Sequence, residues 1–117
     1  MLIDELVAKL KSNNQIDVSL GVTFAGSFHA EFKVLLPLLS AITAHYLHDC
    51  CDPATEIIVA RSLTSAAHLI ACCPIHDRAG YLDDFHERLT LLAKHSSKEV
   101  SHHADYALKI LSNAKQI

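Results

Sequence analysis

Glycine, proline and tryptophan are scarce in this 117-residue chain, which has three glycines, three prolines and no tryptophan. So few turn-forming residues argue against an all-β fold and against long disordered linkers. Half of the residues are hydrophobic, which is ample for one core, and alanine and leucine, both good helix formers, are abundant. The composition therefore predicts a single all-α domain over residues 1–117.

Clustered positive charge and long apolar runs are also missing. The net charge is −3 with histidine neutral, and nucleic-acid binding needs Lys and Arg clustered on one face. The longest uncharged apolar run, 34–47, is shorter than the roughly 20 residues that span a bilayer as a helix. The amino-terminal sequence MLIDELVAKLKS is amphipathic and lacks the apolar region of a signal peptide. We expect a soluble, cytoplasmic protein with no nucleic-acid or membrane partner.

The stretch 52–73 predicts the central helix. Asp52 is a good N-cap, and Pro53 suits the first helical position, where its missing N–H costs nothing. The segment is apolar around most of its circumference and leaves only a narrow polar strip through Arg61, Ser65 and His68. A helix of this kind must be covered on several sides. We therefore expect the rest of the chain to pack around it.

Four other segments have the apolar spacing of helices, near 2–12, 28–48, 81–94 and 97–113. Pro37 falls inside the second of them, and proline disrupts a helix interior, so we expect a break or kink near Leu36 and a helix from about Pro37 to His48. The residues from Pro74 to Gly80 suggest a loop or the start of a helix.

The stretch 16–24 is ambiguous, because its apolar residues alternate at the spacing of a β-strand. No second strand is evident in the chain, and a lone strand would leave its backbone groups unpaired. A connector or a short helix is the favoured interpretation. The alternative is a strand that pairs with its copy in another subunit.

A shift of 43 residues superposes parts of the sequence on one another. Leu39 falls on Leu82, Ile42 on Phe85, Tyr46 on Leu89, Glu56 on Glu99, and Ile57 on Val100. The repeated unit is a helix, a capped turn and a second helix. Periods of about 40 to 47 residues built from helix pairs indicate α-solenoids.

The segments LLPLLSAI at 35–42 and CDPATEIIVARSL at 51–63 resemble a HEAT repeat junction, and the stretch 85–111 is similar. The resemblance covers residues 28–113 and extends to the related armadillo repeats. It implies antiparallel helix pairs stacked as a short, right-handed α-solenoid. A compact antiparallel helical bundle is the alternative.

A HEAT-like fold implies a non-catalytic protein–protein interaction module, or a small adaptor or scaffold subunit. The sequence contains no catalytic or nucleotide-binding motif, so we expect neither an enzyme nor a cofactor. The predicted binding faces lie on 37–48 and 81–94, with Asp83, His86, Glu87 and Lys94 as candidate contacts. The apolar stretch 14–28 is expected to be covered by another protein or by a second copy, in a homo-oligomer or a larger complex.

Histidine and cysteine suggest an alternative function in metal binding or metal sensing. His45 and His48 share a helix face, Cys50 follows, and stacked helix pairs would bring His95 to the same rim. Imidazole and thiolate are ligands for zinc and copper. The spacing matches no known metal motif, so we predict no metal site and keep these four residues as candidates.

The four cysteines form two neighbouring pairs at 50–51 and 72–73, one at each end of the central helix. A helix of that length separates the pairs by about 30 Å, whereas a disulfide needs Cα atoms within about 7 Å. We therefore expect reduced thiols.

Overall fold

The computed structural model describes residues 1–47 and 52–115. Within these ranges the chain is all-helical and no strand is present, which confirms the predicted all-α class. A 3-10 turn at His29–Glu31 precedes the third helix. The α-helices are α1 (Ile3–Leu10), α2 (Gln15–Ala25), α3 (Phe32–Leu47), α4 (Pro53–Cys72), α5 (Ile75–Leu92) and α6 (Lys98–Lys115).

Helix α4 is the centre of the fold, as the sequence predicted, and packs against α2, α3, α5 and α6. It begins where expected, because the Asp52 carboxylate accepts a hydrogen bond from the Ala54 N–H and Pro53 occupies the first turn. Its large apolar side chains, including Ile58, Leu63, Leu69 and Ile70, are almost wholly buried.

The helices form two layers. Consecutive helices pack as pairs, α1 with α2, α3 with α4, and α5 with α6, while α4 also lies between α2 and α6. The Cα atoms span 37 × 35 × 16 Å, and the short dimension fits two helix layers at the usual separation of about 8–10 Å. Helices α2, α4 and α6 form one layer, and α1, α3 and α5 form the other. In that other layer an edge-to-face contact between Phe32 and Tyr81, with ring centroids 6.1 Å apart, joins α3 to α5.

The ambiguous stretch 16–24 is helical, so the strand alternative is wrong. The side chain of Asn14 caps α2 by accepting from the Ile16 N–H at 2.8 Å. The alternating pattern combines two helical faces. Val18 and Val22, four residues apart, are buried, whereas Ile16 and Leu20, which alternate with them along the sequence, point away from the core.

Of the break or kink predicted near Leu36, the break is wrong, because α3 runs from Phe32 to Leu47 through Pro37 without interruption. Pro37 lies on the exposed side, and its neighbours Leu35, Leu36 and Leu39 are buried. Burial of these side chains on both sides of the proline holds the helix together despite the missing hydrogen bond.

Helix α5 begins at Ile75, six residues earlier than the predicted start at 81. The Pro74 carbonyl accepts from the N–H groups of Asp77 and Arg78 and so starts the helix directly after α4. The Arg78 guanidinium donates to the carbonyls of Ala71 and Cys73 at 2.9 and 3.0 Å. These contacts tie the first turn of α5 to the carboxyl end of α4.

Among the described helices, none combines the length and the apolar character needed to cross a lipid bilayer.

Candidate functional site: a groove across the central helix

The exposed side of α4 forms the floor of a groove of about 630 Å³, which we call the α4 groove. Its walls come from the carboxyl end of α2 on one side and from α6 on the other. Arg61 and His68 are exposed on the floor, as the predicted polar strip required, whereas Ser65 is buried. Two further histidines, His29 and His103, line the walls.

Hydrogen bonds hold the α2 wall of this groove against α4. Ser65 Oγ donates to the Val22 carbonyl, and Arg61 Nη1 donates to Thr23 Oγ1 at 2.9 Å. Gly26 favours the close approach of the two helices, because a Cβ at that position would make a tight contact of 3.3 Å with the Cα of Ser65. The guanidinium of Arg61 is therefore anchored at one edge of the groove.

The α6 wall is joined to the floor through His103. Its Nδ1 lies 3.1 Å from Thr64 Oγ1, and its Nε2 lies 3.2 Å from a carboxylate oxygen of Glu99. The Thr64 hydroxyl has one proton, which it can give to the Ala60 carbonyl at 3.2 Å or to Nδ1. His103 therefore connects α6 to α4 through both of its ring nitrogens.

The cysteines at the end of α4 differ from each other in environment. Cys72 is exposed and lines the α4 groove, whereas Cys73 is buried. Burial raises the pKa of the Cys73 thiol, and the nearby Arg78 guanidinium only partly opposes that shift. The Cys73 Sγ also donates to the Ile70 carbonyl at 3.1 Å.

This difference predicts unequal thiol reactivity. At pH 7.5, iodoacetamide is expected to alkylate Cys72 at least about tenfold faster than Cys73, because the thiolate is the nucleophile and burial disfavours it. Tandem mass spectrometry of the peptide containing both residues measures the two rates. Unfolding in urea should make them similar, and equal rates in the folded protein would contradict the assignment.

The structure describes two of the four metal-ligand candidates. His45 is exposed and stacks edge-to-face on Tyr46, with ring centroids 4.9 Å apart. His95 is half-buried, and its Nδ1 accepts from the Ser97 N–H at 3.0 Å. His48 and Cys50 lie outside the described residues. Within the described part of the chain, no group of three or more potential ligands is close enough to hold a metal.

The predicted partner contacts on α5 lie on the surface. Asp83, His86 and Glu87 are exposed on α5, and Lys94 is exposed just beyond its end. The two predicted faces flank a groove of about 640 Å³ between α3 and α5, and none of these four residues belongs to its lining. Its lining is mostly apolar and includes Leu91, which is 69 % exposed.

Helix α2 carries an apolar strip on its outer side. Ile16, Leu20 and Phe24, spaced four residues apart, are 71 %, 43 % and 45 % exposed, and Ile57 of α4 lies beside them. We call these four residues the α2 strip. Between α2 and α4 it borders a groove of about 350 Å³ whose lining has no charged residue.

Comparison of the chain with protein-family models, with curated proteins and with solved structures gave no significant match.

Proposed function

We propose that this chain is a non-catalytic protein-interaction module, a small scaffold or adaptor subunit that self-associates through the α2 strip. The observation that carries the proposal is the exposed apolar face of α2. Val18, Val22 and Ala25 bury the inner face against the core, yet Ile16 and Leu20 make the outer face apolar as well. A helix with two apolar faces is stable in water when both are covered, and exposed apolar patches usually mark interaction sites.

A second copy of the chain suits this surface. The ridge of α2 side chains and the 350 Å³ groove beside it belong to the same patch, and self-complementary patches of this kind form two-fold symmetric dimers. The groove lining contains only uncharged residues, such as Gln15, Ser19 and Ala54. Two copies can therefore approach without placing like charges opposite each other.

The helix pairing supports a finer proposal for the architecture, namely a short HEAT-like α-solenoid. The helices pair in the predicted order, α3 with α4 and α5 with α6. In the sequence matches Leu39–Leu82 and Ile42–Phe85, both residues of each match are buried. Each solenoid repeat buries its face on a neighbour, and an end repeat needs a cover. On this interpretation, α2 lies at the open edge of the layer formed with α4 and α6.

Light scattering of the purified chain tests the proposal. We expect a mass of twice 12.8 kDa. The double substitution Leu20→Glu with Phe24→Glu is expected to weaken the dimer at least tenfold, because burying a carboxylate in an apolar contact is unfavourable. Circular dichroism should show that the variant remains helical.

Leu91→Glu is the matched control, since it places the same charge on a more exposed leucine of α5. It should leave the mass unchanged. Charge reversal at Asp83 and Glu87 should also leave the mass unchanged, because in such a dimer their surface stays free to bind a further protein. A wild-type monomer at 100 μM, a concentration chosen to favour association, would contradict the proposal. So would a dimer that the double substitution does not weaken.

A further inference from the structure

The α4 groove differs in charge from the rest of the molecule. The chain has a net charge of −3, yet the groove lining contains one arginine, three histidines and no aspartate or glutamate. The lining also carries hydroxyl groups, but those of Thr23 and Ser65 already donate to backbone carbonyls, so the N–H groups of the arginine and the histidines are the donors that matter here. The Glu99 carboxylate, just outside the lining, lies 3.2 Å from His103, so the part of the groove that is suited to an anion is the one formed by Arg61, His68 and His29.

We propose that the α4 groove binds an oxyanion of the phosphate type. Arg61 is its principal ligand, because a guanidinium presents five N–H donors in a rigid fork that matches phosphate oxygens. One donor is bonded to Thr23, whose own hydroxyl donates to the Ser19 carbonyl at 2.7 Å. This bond orients the guanidinium at the edge of the groove before any ligand arrives.

The histidines surround the groove from three elements. His68 lies on α4 two turns beyond Arg61, His29 follows α2, and His103 belongs to α6. Each imidazole can donate through a ring N–H, and a protonated ring also contributes charge. Of the three, His103 already has partners in Thr64 and Glu99, so His68 and His29 are the histidines assigned to the anion.

A purely structural role for Arg61 is the competing explanation. Helix α2 has no basic residue in its last turn, and a cation near a helix carboxyl end offsets the helix dipole. That role requires Arg61 but gives no function to His68, which is exposed on α4. A substitution of His68 therefore separates ligand binding from helix stabilisation.

The volume leaves room for a ligand larger than a bare phosphate ion. A groove of about 630 Å³ lies within the roughly 300–1,000 Å³ range of small-molecule sites. The phosphate group can belong to a free small molecule or to a phosphorylated side chain of a peptide. The shared chemistry is a phosphate monoester on Arg61 and His68.

Amide chemical shifts in a titration of the ¹⁵N-labelled chain with inorganic phosphate test the proposal. We expect saturable shifts at Thr23, Arg61, Thr64 and His68. Arg61→Gln and His68→Gln should each weaken binding about tenfold, whereas Arg88→Gln, which removes a cation on α5 outside the groove, should not. Absence of saturable shifts would overturn the proposal, as would an unchanged affinity in His68→Gln or an equal loss in Arg88→Gln.

A second pair of titrations distinguishes the source of the phosphate. A short phosphoserine peptide and its unphosphorylated counterpart are titrated in the same way. Binding of the phosphopeptide at least tenfold tighter than inorganic phosphate supports a phosphorylated chain as ligand, and equal affinity supports a free small molecule. Equal binding of both peptides would overturn an assignment based on phosphate.

Discussion

Replacing Leu69 with alanine is expected to destabilise the folded chain by about 2–5 kcal/mol, the range found for buried leucines. Leu69 is fully buried on α4, and the four helices that pack around α4 form one core with it. Truncation removes apolar contacts and leaves a cavity that rigid neighbours fill only in part. A domain of this size is stable by roughly 5–15 kcal/mol in total, so the loss is a large share.

Urea denaturation followed by circular dichroism, at a single protein concentration, measures the effect. The midpoint should fall while the slope of the transition stays the same. Leu91→Ala is the matched control, because Leu91 is 69 % exposed and substitutions on the surface usually change stability by no more than about 0.5 kcal/mol. A loss below 1 kcal/mol for Leu69→Ala would show that α4 is not the centre of the core.

The position of α4 could be predicted because its signals are local. Asp52 and Pro53 mark its start, and a helix that is apolar nearly all round has only one possible place in a small fold. Helix α2 could not be assigned in the same way. Its apolar residues occupy both faces, which produces the alternation of a strand. Whether the segment forms a helix or a strand therefore depends on the packing of Val18 and Val22 against other helices.

The α4 groove shows where prediction of a site from sequence ends. Arg61 and His68 are visible as a polar strip because they recur at helical spacing on an otherwise apolar helix. His29 and His103 are 32 or more positions away from Arg61 in the sequence, and only the packing of α2 and α6 beside α4 brings them to the same groove. No spacing rule relates residues on separate helices whose arrangement is unknown.

Replacing Pro37 with alanine is expected to stabilise the protein by about 2 kcal/mol. Proline inside a helix is less favourable than alanine by about 3 kcal/mol, and roughly 0.4–1 kcal/mol of that gain is lost because alanine makes the unfolded chain more flexible. Helix α3 is continuous through this position, so the new N–H can donate to the Lys33 carbonyl four residues earlier. The exposed position of Pro37 means that no core contact is removed.

Pro53→Ala provides the contrast, because Pro53 occupies the first position of α4, where no intrahelical hydrogen bond is missing. There the substitution should lower stability slightly, by less than about 1 kcal/mol. Thermal and urea unfolding of the two variants beside the wild type give both values. If Pro37→Ala destabilised the chain as Pro53→Ala does, proline would be the favoured residue at this position of α3. Burial of Leu35, Leu36 and Leu39 would then not be what keeps the helix continuous. Stabilisation by Pro37→Ala together with slight destabilisation by Pro53→Ala would instead show that tertiary packing keeps α3 continuous despite the unfavourable free energy of proline inside the helix.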